Sequence, residues 1–305
     1  MECQDDWGGR AGRDGWSAGL EYGGGQASRA TATKAACRSS PIGRTTSPAA
    51  RRPSWSLTIS AEVRVGIGGW TFPPWRGTFY PPGLSQAKEL AFAASTFGAI
   101  EINATFYGRQ SLKSWAAWAA SVPDGFQFAI KGSRFCVTRP QLADAGEGVG
   151  NFLAQGLSAL GPKLGPILWM LAARRRFDHD DIARFLTLLP REHDGIKLRH
   201  ALEPRHDSFR DDRFFDLCRE HDVAVVFGDD DEFPCIEAET ASFAYARLQR
   251  MREEVPTGYD DRALDRFAIK ARNWQADGRD AYVFMINGSK ERAPAAALAL
   301  QERLR

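Results

Sequence analysis

Residues able to do acid–base chemistry recur at one relative position in this chain, the C-terminal end of short β-branched or aromatic runs. Glu101 and Asn103 close one such run and Tyr107 follows them. Lys131 closes the next, Glu203, Arg205 and His206 a later one, and Arg247 another. Gly69-Trp70 ends the first run, Asp229 follows the sixth, and Asn287 and Lys290 follow the last. A carboxylate in such a place can exchange a proton with a substrate, and a nearby ammonium or guanidinium can stabilise developing negative charge. Glu101 and Glu203 are therefore candidate general acids or bases, with Lys131 and Arg205 as their electrostatic partners. For each pair the plainer alternative is a structural ion pair, Glu101 with Lys131 or Glu203 with Arg247.

The surrounding residue types point to a small ligand. Arginine presents a planar fork that suits carboxylate or phosphate. Trp70, Trp75, Phe79 and Tyr107 supply flat apolar surface, either for stacking on a sugar or base or for packing beneath the first loop. The expected partner is a small anionic or polyhydroxylated molecule, contacted by Trp70, Asn103, Tyr107, His206, Asp229, Arg247 and Asn287. Paired carboxylates permit glycoside hydrolysis, and proton abstraction beside a carbonyl or phosphoester hydrolysis is equally allowed. No cofactor is predicted. A divalent metal gathered by Glu101, Glu203, His206 and Asp229 is the variant reading, with Lys131 and Arg205 repelling it. A non-catalytic small-ligand or regulatory protein fits the same residues, because fold alone does not decide function. Nucleic-acid handling is disfavoured: Arg250 and Arg252 are answered by Glu253 and Glu254, and no basic stripe appears.

The elements that must position these residues are legible. Strand-like runs fall at Val63–Gly69, Ala99–Asn103, Phe126–Lys131, Pro166–Leu171, His200–Arg205, Val223–Phe227, Phe243–Leu248 and Ala281–Asn287. Helical patterns lie between most of them: Ser85–Phe97, Ser111–Ala120, Val149–Leu160, Asp178–Leu189, Asp211–His221, Asp260–Ala276 and Ala293–Leu304. The link Gly228–Ser242 shows no helical period. Strands alternating with helices imply parallel pairing, and eight units in about 250 residues match a (β/α)8 barrel, whose sites sit at the C-terminal strand ends. An open doubly wound sheet is the rival. Gly66-Ile67-Gly68-Gly69 matches its nucleotide fingerprint only in part. Period-two alternation puts Ala99, Glu101 and Asn103 on one face, as it does Ala129 with Lys131, and Ala201 with Glu203 and Arg205. Small residues below charged ones suit an inward face. The long loop after Leu248 is expected to order over a bound ligand.

The first 62 residues read differently. Positions 22–61 hold no Asp or Glu, but do hold Arg29, Lys34, Arg38, Arg44, Arg51 and Arg52. Gly, Ser, Thr and Ala dominate there, so the segment cannot bury enough apolar surface to offset its ordering entropy. A disordered or mis-started extension, 1–62, before one domain, 63–305, is the expected organisation. The near-balance of 40 Lys+Arg and 38 Asp+Glu excludes a polyanion-binding chain overall, and 43% hydrophobic residues exclude global disorder. No apolar run reaches membrane-spanning length. Five cysteines without a C-x-x-C pair fit a reducing cytoplasm better than a disulfide or zinc framework. Cys136, Cys218 and Cys235 are expected to be small buried apolar residues. His179, His193, His200 and His221 are expected at surfaces or helix ends.

Several stretches stand together in order: Gly68-Gly69-Trp70-Thr71, Trp75-Arg76-Gly77-Thr78-Phe79-Tyr80-Pro81, Glu101-Ile102-Asn103-Ala104-Thr105-Phe106-Tyr107, Phe126-Gln127-Phe128-Ala129-Ile130-Lys131 and Glu203-Pro204-Arg205-His206. From about Val63 to Leu304 the chain resembles the DUF72 family, also called YecE-like. The resemblance implies a TIM-type barrel and a bacterial protein, and the family's name marks an unknown function. Three departures stand out. A Gln followed by a Pro pair is usual after the fourth run, where this chain has Met170-Leu171-Ala172-Ala173. Leu-His-Gly is common after the seventh, where it has Leu248-Gln249-Arg250. An Asn-Asp-Ala-Lys-Gly-like run after the eighth becomes Asn287-Gly288-Ser289-Lys290-Glu291. The lost Gln and His are expected to remove two polar contacts.

Overall fold

The computed structural model describes residues 61–305. The expectation for the extension lies outside them except at its last two residues, which belong to the barrel. Glu62 accepts the Ala281 amide hydrogen at 2.9 Å, and Gln275 Nε2 donates to the Ala61 carbonyl at 2.8 Å.

One parallel sheet forms the centre. Its strands are β1 Val63–Gly68, β2 Ala99–Ile102, β3 Gln127–Lys131, β4 Leu164–Met170, β5 His200–Glu203, β6 Val223–Val225, β7 Phe227–Asp229, β8 Phe243–Leu248 and β9 Asp280–Met285. In space they run β6-β5-β4-β3-β2-β1-β9-β8-β7. The two end strands are halves of one stretch joined at Val226, so the sheet nearly closes on itself as the expected (β/α)8 TIM-like barrel. Each expected run is present, with most ends moved by a residue or two. The sixth is split: β6 pairs with β5, whereas β7 pairs with β8. On its side away from β5, β6 meets Thr240, whose hydroxyl accepts from the Val225 N–H at 3.0 Å and donates to the Val223 carbonyl at 2.7 Å.

The helices form the outer layer: α1 Glu89–Thr96, α2 Leu112–Ala120, α3 Gly146–Leu153, α4 His179–Thr187, α5 Asp212–His221, α6 Asp261–Ala276 and α7 Ala293–Leu304. Asp178, Asp211 and Asp260 start α4, α5 and α6, each accepting a first-turn backbone N–H that has no partner within the helix. The helix expected to run on to Leu160 stops at Leu153, because Gly156 turns left-handed (φ 103°) and 3-10 turns follow at Leu157–Lys163. Among the described residues, the link between β7 and β8 carries no helix, as its lack of period predicts. No helix among the described residues is long and apolar enough to cross a membrane.

Strand alternation sorts the apolar residues into two layers. Ile100, Ile102, Phe128, Ile130, Leu202 and Val225 face the helices. Ala99, Ala129, Ala201 and Ala224 face the interior, where Phe243, Tyr245, Tyr282 and Phe284 fill the space those alanines leave. Large rings from two neighbouring strands against alanines from β2, β3, β5 and β6, with Leu168 from β4, give close packing in a narrow barrel. Cys136 and Cys218 are buried, and burial pushes both thiols up, Cys136 to about 11. They are packing residues, as expected.

Candidate functional site

One step above the alanine layer, the same inward faces carry charge. Glu101 follows Ala99 on β2, Lys131 follows Ala129 on β3, Glu203 follows Ala201 on β5, and Arg247 follows Tyr245 on β8. All four are buried, Glu101 at 0% and Arg247 at 1% exposure, so their charges require partners. Arg247 answers both carboxylates. Its Nη2 and Nε donate to Glu101 Oε1 and Oε2 at 3.1 and 3.2 Å, and its Nη1 donates to Glu203 Oε2 at 2.6 Å. Tyr245 adds its hydroxyl to Glu101 Oε2 at 2.7 Å. Arg205 holds the other Glu203 oxygen with Nε and Nη2 at 3.1 and 3.0 Å, and its guanidinium lies 4.4 Å from the centre of the Phe233 ring. The structural alternative is thus realised for Glu203–Arg247, whereas Glu101 pairs with Arg247 rather than Lys131.

Electrostatics follows from this wiring. Burial alone would raise the Glu203 carboxyl, but Arg247, Arg205 and Lys131 outweigh it and hold the group down at about 2. Glu203 is therefore a fixed anion near neutral pH. Lys131 behaves in the opposite way. Burial lowers its ammonium to about 8, Arg247 and Arg205 push the same way, and Glu101 and Glu203 offset them only in part. Two carboxylates already face two guanidinium groups, so a protonated Lys131 adds an unbalanced charge. Its side chain forms no hydrogen bond or ion pair with a described residue. Its Nζ lies 4.8 Å from the centre of the Phe106 ring. Gly132 follows because Trp169 packs on its backbone: a Cβ there would stand 2.4 Å from the indole.

Three other expected residues line this end of the barrel. Asn103 leaves the strand, adopts helical angles and opens the turn Ala104–Tyr107. Its side-chain amide makes no hydrogen bond with the described residues. Tyr107 is 47% exposed and stacks edge-on against Phe106. Asn287 donates to Gln249 Oε1 at 2.7 Å. Gln249 is buried on the inward face two residues beyond Arg247, so the position where a family histidine is common keeps a polar side chain.

Others are placed elsewhere. Trp70 follows left-handed Gly69 (φ 73°), which ends the strand alternation, and packs edge-on against Trp118 at 5.4 Å. Trp75 and Phe79 pack beneath the first loop among Phe72, Tyr80 and Phe97. Asp229 alternates with inward Gly228 and so points outward, where Tyr259 donates to it at 2.9 Å and Arg250 caps it. His206 Nδ1 accepts the Ser208 amide hydrogen at 3.0 Å, which assigns the ring proton of the neutral form to Nε2. Glu101, Glu203, His206 and Asp229 thus do not gather: among the described residues no group of three or more His, Cys, Asp or Glu is placed to hold a metal ion.

The loop expected to order over a ligand is pinned by protein contacts. Met251 and Tyr259 are buried, the Ser289 N–H donates to the Met251 carbonyl at 2.9 Å, and Tyr259 accepts the Arg250 amide hydrogen at 2.8 Å. Gly288 (φ 55°) lets the chains approach, since a Cβ there would lie 2.7 Å from the Gln249 carbonyl oxygen. His200 is placed otherwise than at a surface or helix end. It is buried on the outward face of β5, accepts from Trp169 Nε1 at 3.1 Å through Nδ1 and donates to the Pro190 carbonyl through Nε2 at 2.8 Å.

Sequence reasoning missed Tyr245, Phe106 and Phe233. Tyr245 had a signal, because it stands two residues before Arg247 on a strand. Phe233 had none, because the link that carries it has no period.

Known proteins bear on the whole domain. Solved DUF72 family proteins share its fold: one from Thermotoga maritima superposes with a TM-score of 0.64 at 22% identity, covering 79% of this chain and 97% of that one. One from Enterococcus faecalis gives 0.61 at 16% identity, covering 80% and 98%. The UPF0759 protein YunF of Bacillus subtilis is 30% identical over 69 residues, a match spanning 23% of this chain and 23% of that protein. The profile of the family described as "Protein of unknown function DUF72" matches residues 64–305, and the chain belongs to that family.

Proposed function

We propose that this chain is an enzyme performing acid–base chemistry on a small anionic or polyhydroxylated molecule at the C-terminal mouth of the barrel. The observation that carries this is Lys131, a buried amine held at about 8 beside carboxylates that are already paired. Glu203 is too firmly ionised to serve as an acid near neutrality, and Tyr245 and Arg247 occupy both oxygens of Glu101, so we assign proton exchange to Lys131. Glu101, Glu203 and Arg247 act as a fixed polar floor that sets where charge sits. Arg205 Nη1 makes no hydrogen bond with a described residue, and that free edge suits a carboxylate or phosphate of the substrate. Asn103 and Tyr107 supply further polar and flat contacts.

The test is to incubate the full chain, and separately Lys131→Met, with a small-molecule extract and follow both by mass spectrometry. The expected result is consumption of an anionic compound by the wild type alone, with a rate that rises with pH through about 8 as the amine loses its proton. Compounds retained on ultrafiltration yet chemically unchanged would favour a non-catalytic binding protein. Neither consumption nor retention would overturn both readings.

A further inference from the structure

Resting on that reading, we propose that Lys131 is also a covalent catalyst, forming an imine with an aldehyde or ketone that carries an anionic group. The structure supplies the three things such a step needs. The first is an amine that is not tied up: Arg247 takes both carboxylates that would otherwise pair with Lys131. The second is an environment that opposes the ammonium. Lys131 on β3 faces Glu101 from β2, Glu203 from β5, Arg205 just beyond it and Arg247 from β8, and the two acids are balanced by the two guanidinium groups. The third is a place for the substrate's anion, the unbonded Nη1 edge of Arg205, itself stacked on Phe233. Lys131 and Arg205 both stand at the C-terminal ends of barrel strands, where substrate arrives.

The step balances without an added reagent. The neutral amine's lone pair attacks the carbonyl carbon, and the carbonyl π electrons move to oxygen. A proton passes from nitrogen to that oxygen, giving a carbinolamine. Its hydroxyl takes a proton from solvent and leaves as water, and the nitrogen lone pair forms the C=N bond of a protonated imine. That cation replaces the ammonium charge with one that withdraws electrons from the neighbouring carbon, so a proton there becomes easier to remove.

The test uses the full chain with glyoxylate as probe and cyanoborohydride as hydride donor, read by peptide mapping. The expected result is a carboxymethyl group on Lys131, formed roughly tenfold or more faster at pH 7 than on the exposed Lys88, Lys113 and Lys197, since lowering the Lys131 amine from 10.5 to about 8 leaves it neutral and nucleophilic far more often at that pH. The Lys131 rate should climb as pH rises towards about 8. Lys131→Arg, which keeps the charge, should lose that adduct while melting normally. Modification of the exposed lysines with none at Lys131 overturns the imine. If, in addition, glycolate (which has no carbonyl to attack) raises the melting temperature of the wild type but not of Lys131→Arg, proton exchange survives and the imine alone fails.

Discussion

Tyr245 reaches across the barrel interior from β8 to set its hydroxyl 2.7 Å from Glu101 Oε2 on β2. The same carboxylate receives Arg247, so one anion ties the aromatic packing layer to the charged layer above it. Removing the hydroxyl with Tyr245→Phe keeps the ring and leaves Glu101 one donor short, an expected loss of about 1–3 kcal/mol. Arg247→Met should cost more, about 3–5 kcal/mol, because it strands two buried carboxylates at once. Denaturant melts of the two variants check the order. Equal losses would show that Arg247 is not the shared counter-ion.

Lys131 should make the protein less stable than it need be. Its amine titrates near 8 when folded and near 10.5 when unfolded, so the unfolded chain binds the extra proton between those values. Stability gained from this group is fully present above 10.5 and lost as pH falls to about 8, a difference of roughly 3 kcal/mol. Lys131→Met should flatten that part of the profile and raise stability at neutral pH. An unchanged stability–pH slope between 8 and 10.5 in the variant would contradict it.

His200 titrates in the acid range. Burial lowers its ring to about 4, only partly offset by the Pro190 carbonyl, so it stays neutral when folded. The unfolded ring takes a proton near 6.5, and the stability the neutral ring contributes is lost as pH falls from about 6.5 to 4. Glu203 acts lower, losing its contribution as pH falls from about 4.5 to 2. His200→Gln should therefore remove the upper part of acid destabilisation and leave the lower part. Urea melts at several pH values separate the two windows.

Asp229 holds the loop after β8 through Arg250 and Tyr259. Asp229→Ala should free Arg250 and Tyr259, and cleavage by trypsin after Arg250 and Arg252 should rise several-fold, since cleavage follows local opening. Unchanged cleavage would mean that Met251 and Gly288 suffice to hold the loop.

Much of this was legible because alternation is a strict rule. Ala99 with Glu101, Ala129 with Lys131 and Ala201 with Glu203 share faces in the structure as in the sequence. His200 obeyed the same rule, one residue before inward Ala201, and its outward burial was there to be read. Asp229 likewise alternates with Gly228. Trp70 was not legible in this way, because left-handed Gly69 changes the chain's direction just before it. The pairing of Arg247 with both acids was not legible either. It depends on how far a guanidinium spans between strands brought together only by closure.

Thr240 carries the last consequence. A sheet that ends in space offers free amides and carbonyls on which another chain can build a strand, the usual route to association edge to edge. Here the order of strands ends at β6 and at β7, and at β6 the Thr240 hydroxyl occupies both the Val225 amide and the Val223 carbonyl. A side chain thus stands at β6 where a neighbouring strand would be, and it takes up two of the backbone groups on which such a strand would build.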